Sequence, residues 1–356
     1  MAEGMMPGVD EDGALPLPWL AAPLAEALNL QRSHALLAFG PGGVGQLEFA
    51  FTLAQAWLCD QRGNATRPCG RCDSCRLVRG RSHPDLLLVV PDALALQLQW
   101  ATVEDLRLKG DAKPSKDLRV AQVRDAIDWS QRTPARGKGK ALVLHPADAM
   151  NHTAASALLK TLEEPPGSLR LVLTSSDPEH LLPTVRSRCQ RVRLPLPEPA
   201  SALAWLQAQD VAAPQVLLAL AGGRPLLAWE LAAEGIDAAL VQALPARLAA
   251  GDPTPLLQRP VARVVDLLLK LALDLAVRQA GGLPRYFPAA SLPAGAPDAA
   301  RLAAWQRSLL RVARHDEHPW NAGLLVDALV TEGAALWPRA AAGARRGGAA
   351  SLHSGA

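Results

Sequence analysis

Short apolar runs separated by stretches of helical spacing organise the first two hundred positions of this chain. HALLAF (34–39), LLLVV (86–90), ALVLH (141–145), LRLVLTS (169–175) and RVRL (191–194) read as strands. Runs of this length bounded by turn residues suit strands buried on both faces. Between them the apolar spacing is helical. VAQVRDAIDWSQ (120–131) places Val120, Val123, Ile127 and Ser130 on one helical face. Residues 152–164 predict a helix with Leu158, Leu159 and Leu162 inward, stopped by Pro165 and Pro166. Another helix is expected from the glycine loop after HALLAF to about Cys59. Strands alternating with helices predict a parallel sheet with helices on both faces. Residues 1–14 read as a loose end, and 92–117, long and mixed and ending in KPSKD, as a mobile insertion.

Near LPLPEPA (194–200) the pattern changes, and Pro195, Pro197 and Pro199 mark a linker. Beyond it only Ala- and Leu-rich helical patterns follow, punctuated by GGRP (222–225) and GDP (251–253). The expected division is an α/β domain over 1–195, a small helical domain over 196–237, a larger helical domain over 238–340 and a disordered Gly/Ala/Ser-rich tail over 341–356. A chain of 356 residues, 49% hydrophobic and 20% charged, fits a soluble globular protein of two or three domains. Its net charge of +3 announces no strong field for nucleic acid. VVDLLLKLALDLAV (264–277) is broken by Asp266, Lys270 and Asp274, so no membrane span is expected. The opening MAEGMMPGVDEDGALPLP lacks a basic start followed by an apolar run, so a cytoplasmic protein without a secretory signal is expected.

Two segments carry chemistry. GPGGVGQLEF (40–49) holds the glycine spacing of a phosphate loop at Gly40 and Gly45. Gln46 stands where such a loop needs a lysine, and Leu47 where it needs a hydroxyl for Mg²⁺. Gln carries no charge and Leu cannot ligate magnesium. ALVLH is followed by Pro146 and Ala147, with Asp148 only later, so the acidic pair that would support Mg²⁺ is missing. The expectation is a degenerate nucleotide loop and no ATP bound by this chain. The second segment contains Cys59, Cys69, Cys72 and Cys75. Four closely spaced thiolates match a structural zinc site and leave no open position for catalysis. His83 is an alternative ligand or a turn residue before Pro84, and Cys189 is expected as a buried thiol.

SALLKTLEEPP (156–166) followed by LTSSDPEHLLPTVRSRCQ (173–190) resembles the bacterial clamp-loader subunits of the AAA+ class. The resemblance covers about 17–200 and weakens beyond, where HPWNAGLLVDALV (318–330) resembles a collar helix of that family. It implies a RecA-like AAA+ domain with a zinc module at 59–75, a helical lid domain and an all-α collar. The failed loop narrows the match to a non-hydrolysing subunit of the DNA polymerase III clamp loader. Such a subunit assembles with gamma/tau and delta subunits as a hetero-oligomer and helps load the sliding clamp on primer–template DNA. The resemblance assigns Arg188, in Ser187-Arg188-Cys189, as an arginine finger acting on the ATP site of a neighbouring gamma/tau subunit. Taken alone, Arg188 reads as a surface arginine beside Arg186 and Arg191. Thr174 stands where the family keeps its first sensor and reads as structural here. AGGRPLLA (221–228) places Pro225 at the second-sensor arginine position, with Arg224 one residue early. Lys160, Glu163 and Glu164 read first as a solvated face. Two other classes stay open: a divergent gamma/tau-like ATPase, against which Gln46, Leu47 and Pro146 argue, and a zinc-dependent DNA-binding protein, for which 59–81 offers arginines but no aromatic residue.

Overall fold

The computed structural model describes residues 7–61, 63, 67–106, 113–314 and 321–337. The chain divides into two compact units, Met1–Gly235 and Ile236–Ala356. The tail expected over 341–356 lies outside the described residues.

The first unit is built on a five-stranded sheet of β1 (Ala35–Phe39), β2 (Leu86–Val89), β3 (Lys140–Leu144), β4 (Leu169–Ser175) and β5 (Gln190–Arg193). The order is β2-β3-β4-β1-β5, and every neighbouring pair is parallel. Ala35 pairs with Leu171, and Leu36 with Gln190, so β1 lies inside the sheet between β4 and β5. Its buried position explains the unbroken apolar run, since a strand covered on both faces needs no polar alternation. Leu37, Leu142, Leu144, Leu171 and Leu173 share one core with α5 (Val120–Ser130) and α6 (His152–Glu163). α2 (Gln46–Leu58) packs against β1, β3 and β4, and all thirteen of its residues are buried. A helix covered on all sides can be apolar on all sides. Leu158 and Leu162 of α6 are buried and Leu159 packs at the core's margin, as its spacing predicts. Truncating Leu142 or Leu158 to Ala would cost about 2–5 kcal/mol.

Two expectations are corrected. The stretch read as a loose end is tied down from residue 7 onward: Val9 is buried, its N–H donates to Gln55 Oε1 at 2.9 Å, and Asp10 Oδ1 accepts from Asp12 and Ala14 N–H at 2.9 and 2.8 Å. The stretch read as a mobile insertion begins with a helix, α4 (Asp92–Gln97), anchored by buried Asp92, which pairs with Arg119 at 2.6 Å. Residues 107–112 of that stretch lie outside the described residues.

Three short helices, α8 (Pro199–Ala208), α9 (Pro214–Leu220) and α10 (Pro225–Ala233), complete the first unit. Trp205 joins them to the N-terminal segment. It meets Trp19 and Trp229 edge to face, with ring centroids 5.6 and 5.9 Å away. The second unit contains α11 (Ala238–Ala250), α12 (Val261–Gln279), α13 (Ala299–Arg314) and α14 (Ala322–Ala334). Asp237 and Asn321 cap α11 and α14 through their side chains. Buried Asp274 in α12 accepts three backbone N–H bonds, from Arg285, Tyr286 and Phe287, at 2.7–2.8 Å, and so fixes the loop that follows its helix. Among the described residues no single helix is long and apolar enough to cross a membrane.

Candidate functional site: a closed glycine loop, a thiol cluster and an anchored arginine

The loop at 40–45 joins β1 to α2 (Gln46–Leu58), as its sequence predicts. Gly45 has φ +100°, and a Cβ there would lie 2.3 Å from Leu17 Cδ1. A Cβ on Gly40 would lie 2.1 Å from the Leu194 carbonyl oxygen. Both glycines are therefore required by the fold whether or not a phosphate binds. The loop's carbonyls are taken up by the protein. Gln46 Nε2 donates to the carbonyls of Gly40 and Pro41 at 2.8 and 2.7 Å. Trp19 Nε1 donates to Val44 O at 2.8 Å, and Leu226 N, at the start of α10, to Gly43 O at 3.2 Å. Gln46 is thus folded back on its own loop, and Leu47 beside it is buried. Arg224 approaches Gly43, but its Nε is spent on the Ala221 carbonyl at 2.6 Å.

The two strand ends behind the loop are joined to each other. His145, directly after β3, lies 2.6 Å through Nδ1 from Thr174 Oγ1 near the end of β4. Burial pushes the His145 pKa down to about 4, so the ring is neutral at pH 7. A neutral imidazole cannot replace a carboxylate toward Mg²⁺·ATP, and the Thr174 hydroxyl is committed to it. Sequence reading noted Pro146 but missed His145, whose signal was its position at the strand end. It missed Glu48 as well. That carboxyl is buried in the first turn of α2, and burial pushes its pKa up to about 7.

The four cysteines come together as the spacing predicts. Their sulfur atoms all lie within 4.8 Å of one another. Cys59 Sγ and Cys72 Sγ are 3.8 Å apart, close to the edge of about 3.8 Å in a tetrahedron with 2.3 Å metal–sulfur bonds. Cys59 ends α2. Cys72 caps α3 (Asp73–Arg79), accepting the Cys75 N–H at 3.4 Å, and it also accepts the Asp60 N–H at 3.4 Å. Cys69 accepts the Cys72 N–H at 3.4 Å. Burial alone would raise the Cys69 thiol, but backbone donors at Cys72 and Arg71 outweigh it and bring the pKa down to about 7. Burial pushes Cys75 up. The four thiols can hold one metal ion. His83 is not among them; its Nδ1 accepts the Asp85 N–H at 3.1 Å. Cys189 is buried, which pushes its thiol up to about 12.

A polar network ties the cysteine segment to the sheet. Asp60 accepts from Ser74 N and Oγ at 3.1 and 3.0 Å and lies 3.4 Å from Lys138 Nζ. Burial opposes ionisation of Asp60, yet these partners together lower its pKa. Lys138 Nζ also donates to the Cys59 carbonyl at 2.6 Å.

Arg188 follows α7 (Pro183–Arg186) at the surface. Its Nε donates to Glu163 Oε1 at 2.8 Å, its Nη2 reaches the same oxygen, and its Nη1 donates to Thr184 O at 2.9 Å. Glu163 is the last residue of α6, so the helix read as a solvated face supplies the arginine's anchor. The neighbouring arginines are engaged elsewhere: Arg186 pairs with Glu179, and Arg191 lies 4.7 Å over the Phe39 ring.

Residues 22–198 match the family described as DNA polymerase III, delta subunit. The chain is similar to a DNA polymerase III subunit delta' from Pseudomonas aeruginosa, with 39% identity over 210 residues, 58% of each chain. A subunit delta' from Escherichia coli is 29% identical over 215 residues, again 58% of each. The Escherichia coli subunit tau is 34% identical over 172 residues, 48% of this chain and 23% of that one. The matched part therefore spans less than two thirds of the delta' relatives. A solved gamma subunit-related protein from Thermotoga maritima overlays 89% of this chain and 99% of its own, with 15% identity and a TM-score of 0.42.

Proposed function

The chain belongs, through residues 22–198, to the DNA polymerase III delta-subunit family, and from that premise we propose that it is the non-hydrolysing, delta'-type subunit of a clamp loader. The observation that carries this reading is the glycine loop closed by its own chain. Gln46 occupies the Gly40 and Pro41 carbonyls where a lysine would reach a nucleotide, and the acidic strand end is a neutral His145 bonded to Thr174. Such a chain contributes no ATP hydrolysis of its own. It acts as a cytoplasmic member of a hetero-oligomer with gamma/tau and delta subunits and, through them, on the sliding clamp and primer–template DNA. Residues 1–195 serve as the AAA+ domain, 196–237 as the lid and 238–340 as the collar that holds the assembly. One zinc ion held by Cys59, Cys69, Cys72 and Cys75 joins the end of α2 to α3 and takes no part in chemistry.

Arg188 is the arginine finger. A guanidinium is always charged and forked, and offered to a neighbour's ATP it stabilises the charge of phosphoryl transfer while coupling hydrolysis to correct assembly. Its bonds to Glu163 and Thr184 restrain it at the surface, and a phosphate would have to compete with them. Arg188→Ala in a complex reconstituted with gamma/tau and delta subunits should lower DNA- and clamp-stimulated ATP hydrolysis while the complex stays assembled by size-exclusion chromatography. Unchanged hydrolysis removes the finger; a chain that fails to enter the complex removes the subunit assignment itself.

A further inference from the structure

At the end of the sheet opposite the glycine loop, two cavities of about 590 and 380 Å³ share Trp57, Arg67, Lys138, Ser168 and Arg170 and so form one cleft. Its walls are the segments that lead into β1, β3 and β4. Arg32, Arg67, Lys138, Lys140 and Arg170 line it, and among the described residues no Asp or Glu does. That is a concentration of one sign in a chain whose net charge is only +3. A solvated face normally interleaves both signs, whereas a concave wall of one sign focuses its field on whatever enters.

The cations differ in what they already do. Lys138 is held by Asp60 at 3.4 Å and by the Cys59 carbonyl. Lys140 lies 3.9 Å from Asp85 and 3.9 Å from the centre of the Trp129 ring. Arg32 and Arg170 have no carboxylate within ion-pair reach among the described residues. Arg170 instead lies 5.5 Å over the Trp57 ring, which is itself fixed by its Nε1–H bond to Gln31 at 3.0 Å. Partial desolvation and the nearby charge of Arg67 both work against the protonated Arg170.

We propose that this cleft binds phosphate oxyanions, in the form of two or more adjacent phosphates, with Arg32 and Arg170 as the principal ligands and Lys138 as a fixed charge behind them. Guanidinium forks match phosphate oxygens two at a time. Because Arg170 covers the face of Trp57, no base can stack there, and recognition runs through phosphate alone without sequence preference. A free oligophosphate and consecutive phosphodiesters of a nucleic-acid strand present the same oxyanions. The inference is independent of the role assigned to Arg188.

The test uses the full chain at low salt. A fluorescein-labelled twelve-nucleotide single strand is titrated by anisotropy and inorganic pyrophosphate by calorimetry. Arg32→Glu/Arg170→Glu should weaken binding at least tenfold, and the control Arg307→Glu/Arg311→Glu, on α13, should change it less than twofold. Binding of the strand alone assigns the cleft to a nucleic-acid backbone; binding of pyrophosphate alone, to a small oligophosphate; displacement of the strand by pyrophosphate shows that one site reads both. If the double variant does not fold, Arg32→Glu alone, at an exposed position, carries the comparison. Where the strand binds, its wild-type affinity must also fall with salt at a log–log slope of about −1.4 or steeper for two phosphates. No binding of either probe, or equal loss in the control variant, overturns the proposal.

Discussion

If His145 and Thr174 form a structural pair, the stability of the sheet unit should carry the signature of one part-buried, neutral histidine. In the folded chain burial holds the His145 pKa at about 4, against an ordinary value of 6.5. Below pH 6.5 the unfolded chain takes up a proton that the folded chain refuses, so stability falls with pH and the loss is complete near pH 4. Between pH 8 and pH 5 this single group removes about 2 kcal/mol, an upper figure because the ring is only part-buried. His145→Gln removes the titration and keeps a polar side chain. Urea unfolding of both proteins at pH 8 and pH 5, followed by tryptophan fluorescence, cancels the contributions of all other groups. The variant should lose less stability on acidification than the wild type, by about 1–2 kcal/mol. Thr174→Val should cost about 1–3 kcal/mol at pH 8, because His145 Nδ1 is left without its partner at 2.6 Å, and Thr174→Ser should restore most of it. Equal pH dependence in His145→Gln and wild type would refute the argument, and so would a Thr174→Val variant as stable as wild type.

Three further outcomes follow from the same geometry. Elemental analysis should find about one zinc per chain, and Cys72→Ser, which removes the sulfur at the centre of the N–H···S bonds, should lose it and lower the melting temperature by several degrees. Glu48→Gln should stabilise the chain at pH 8 by about 1–3 kcal/mol and have no effect at pH 4: its folded pKa of about 7 lies above the ordinary 4.5, so stability is lost as pH rises through that window, and an unchanged urea midpoint at pH 8 would contradict it. Glu163→Gln breaks a half-exposed ion pair worth less than about 1 kcal/mol, so it should leave stability nearly unchanged while making Arg188 up to about fivefold more available. ATP hydrolysis by the reconstituted complex should then be maintained or raised, and a loss as deep as that of Arg188→Ala would mean that Glu163 positions the finger rather than restraining it.

β1 and β3 were legible because they are covered on both faces and so read as nearly continuous apolar runs, whereas edge strand β5 buries only Val192. α2 was legible for the same reason, and the thiol cluster because four cysteines fall within seventeen residues. α3 was not legible. DSCRLVR is seven residues with mixed polarity, and its start is fixed by a bond from the Cys75 N–H to the Cys72 sulfur rather than by propensity. The order at residues 7–14 was hidden because it depends on Gln55, forty-six residues away from Val9. The same limit governs the site. Gly40 and Gly45 keep the glycine spacing of a nucleotide loop, and Gln46 and Leu47 stand in the places of its lysine and hydroxyl. What fills the space is tertiary: the Gln46 amide turned inward, the α10 backbone on Gly43, and His145 on Thr174. Absence of a charge can be read from one position, whereas the bond that replaces it needs two positions that only folding brings together. Glu163 and Arg188, twenty-five residues apart and each unremarkable alone, become a restrained cation only in the fold. The bonds that close the glycine loop and the bonds that restrain Arg188 at the surface are alike in this: each joins two positions, and neither can be read from one of them alone.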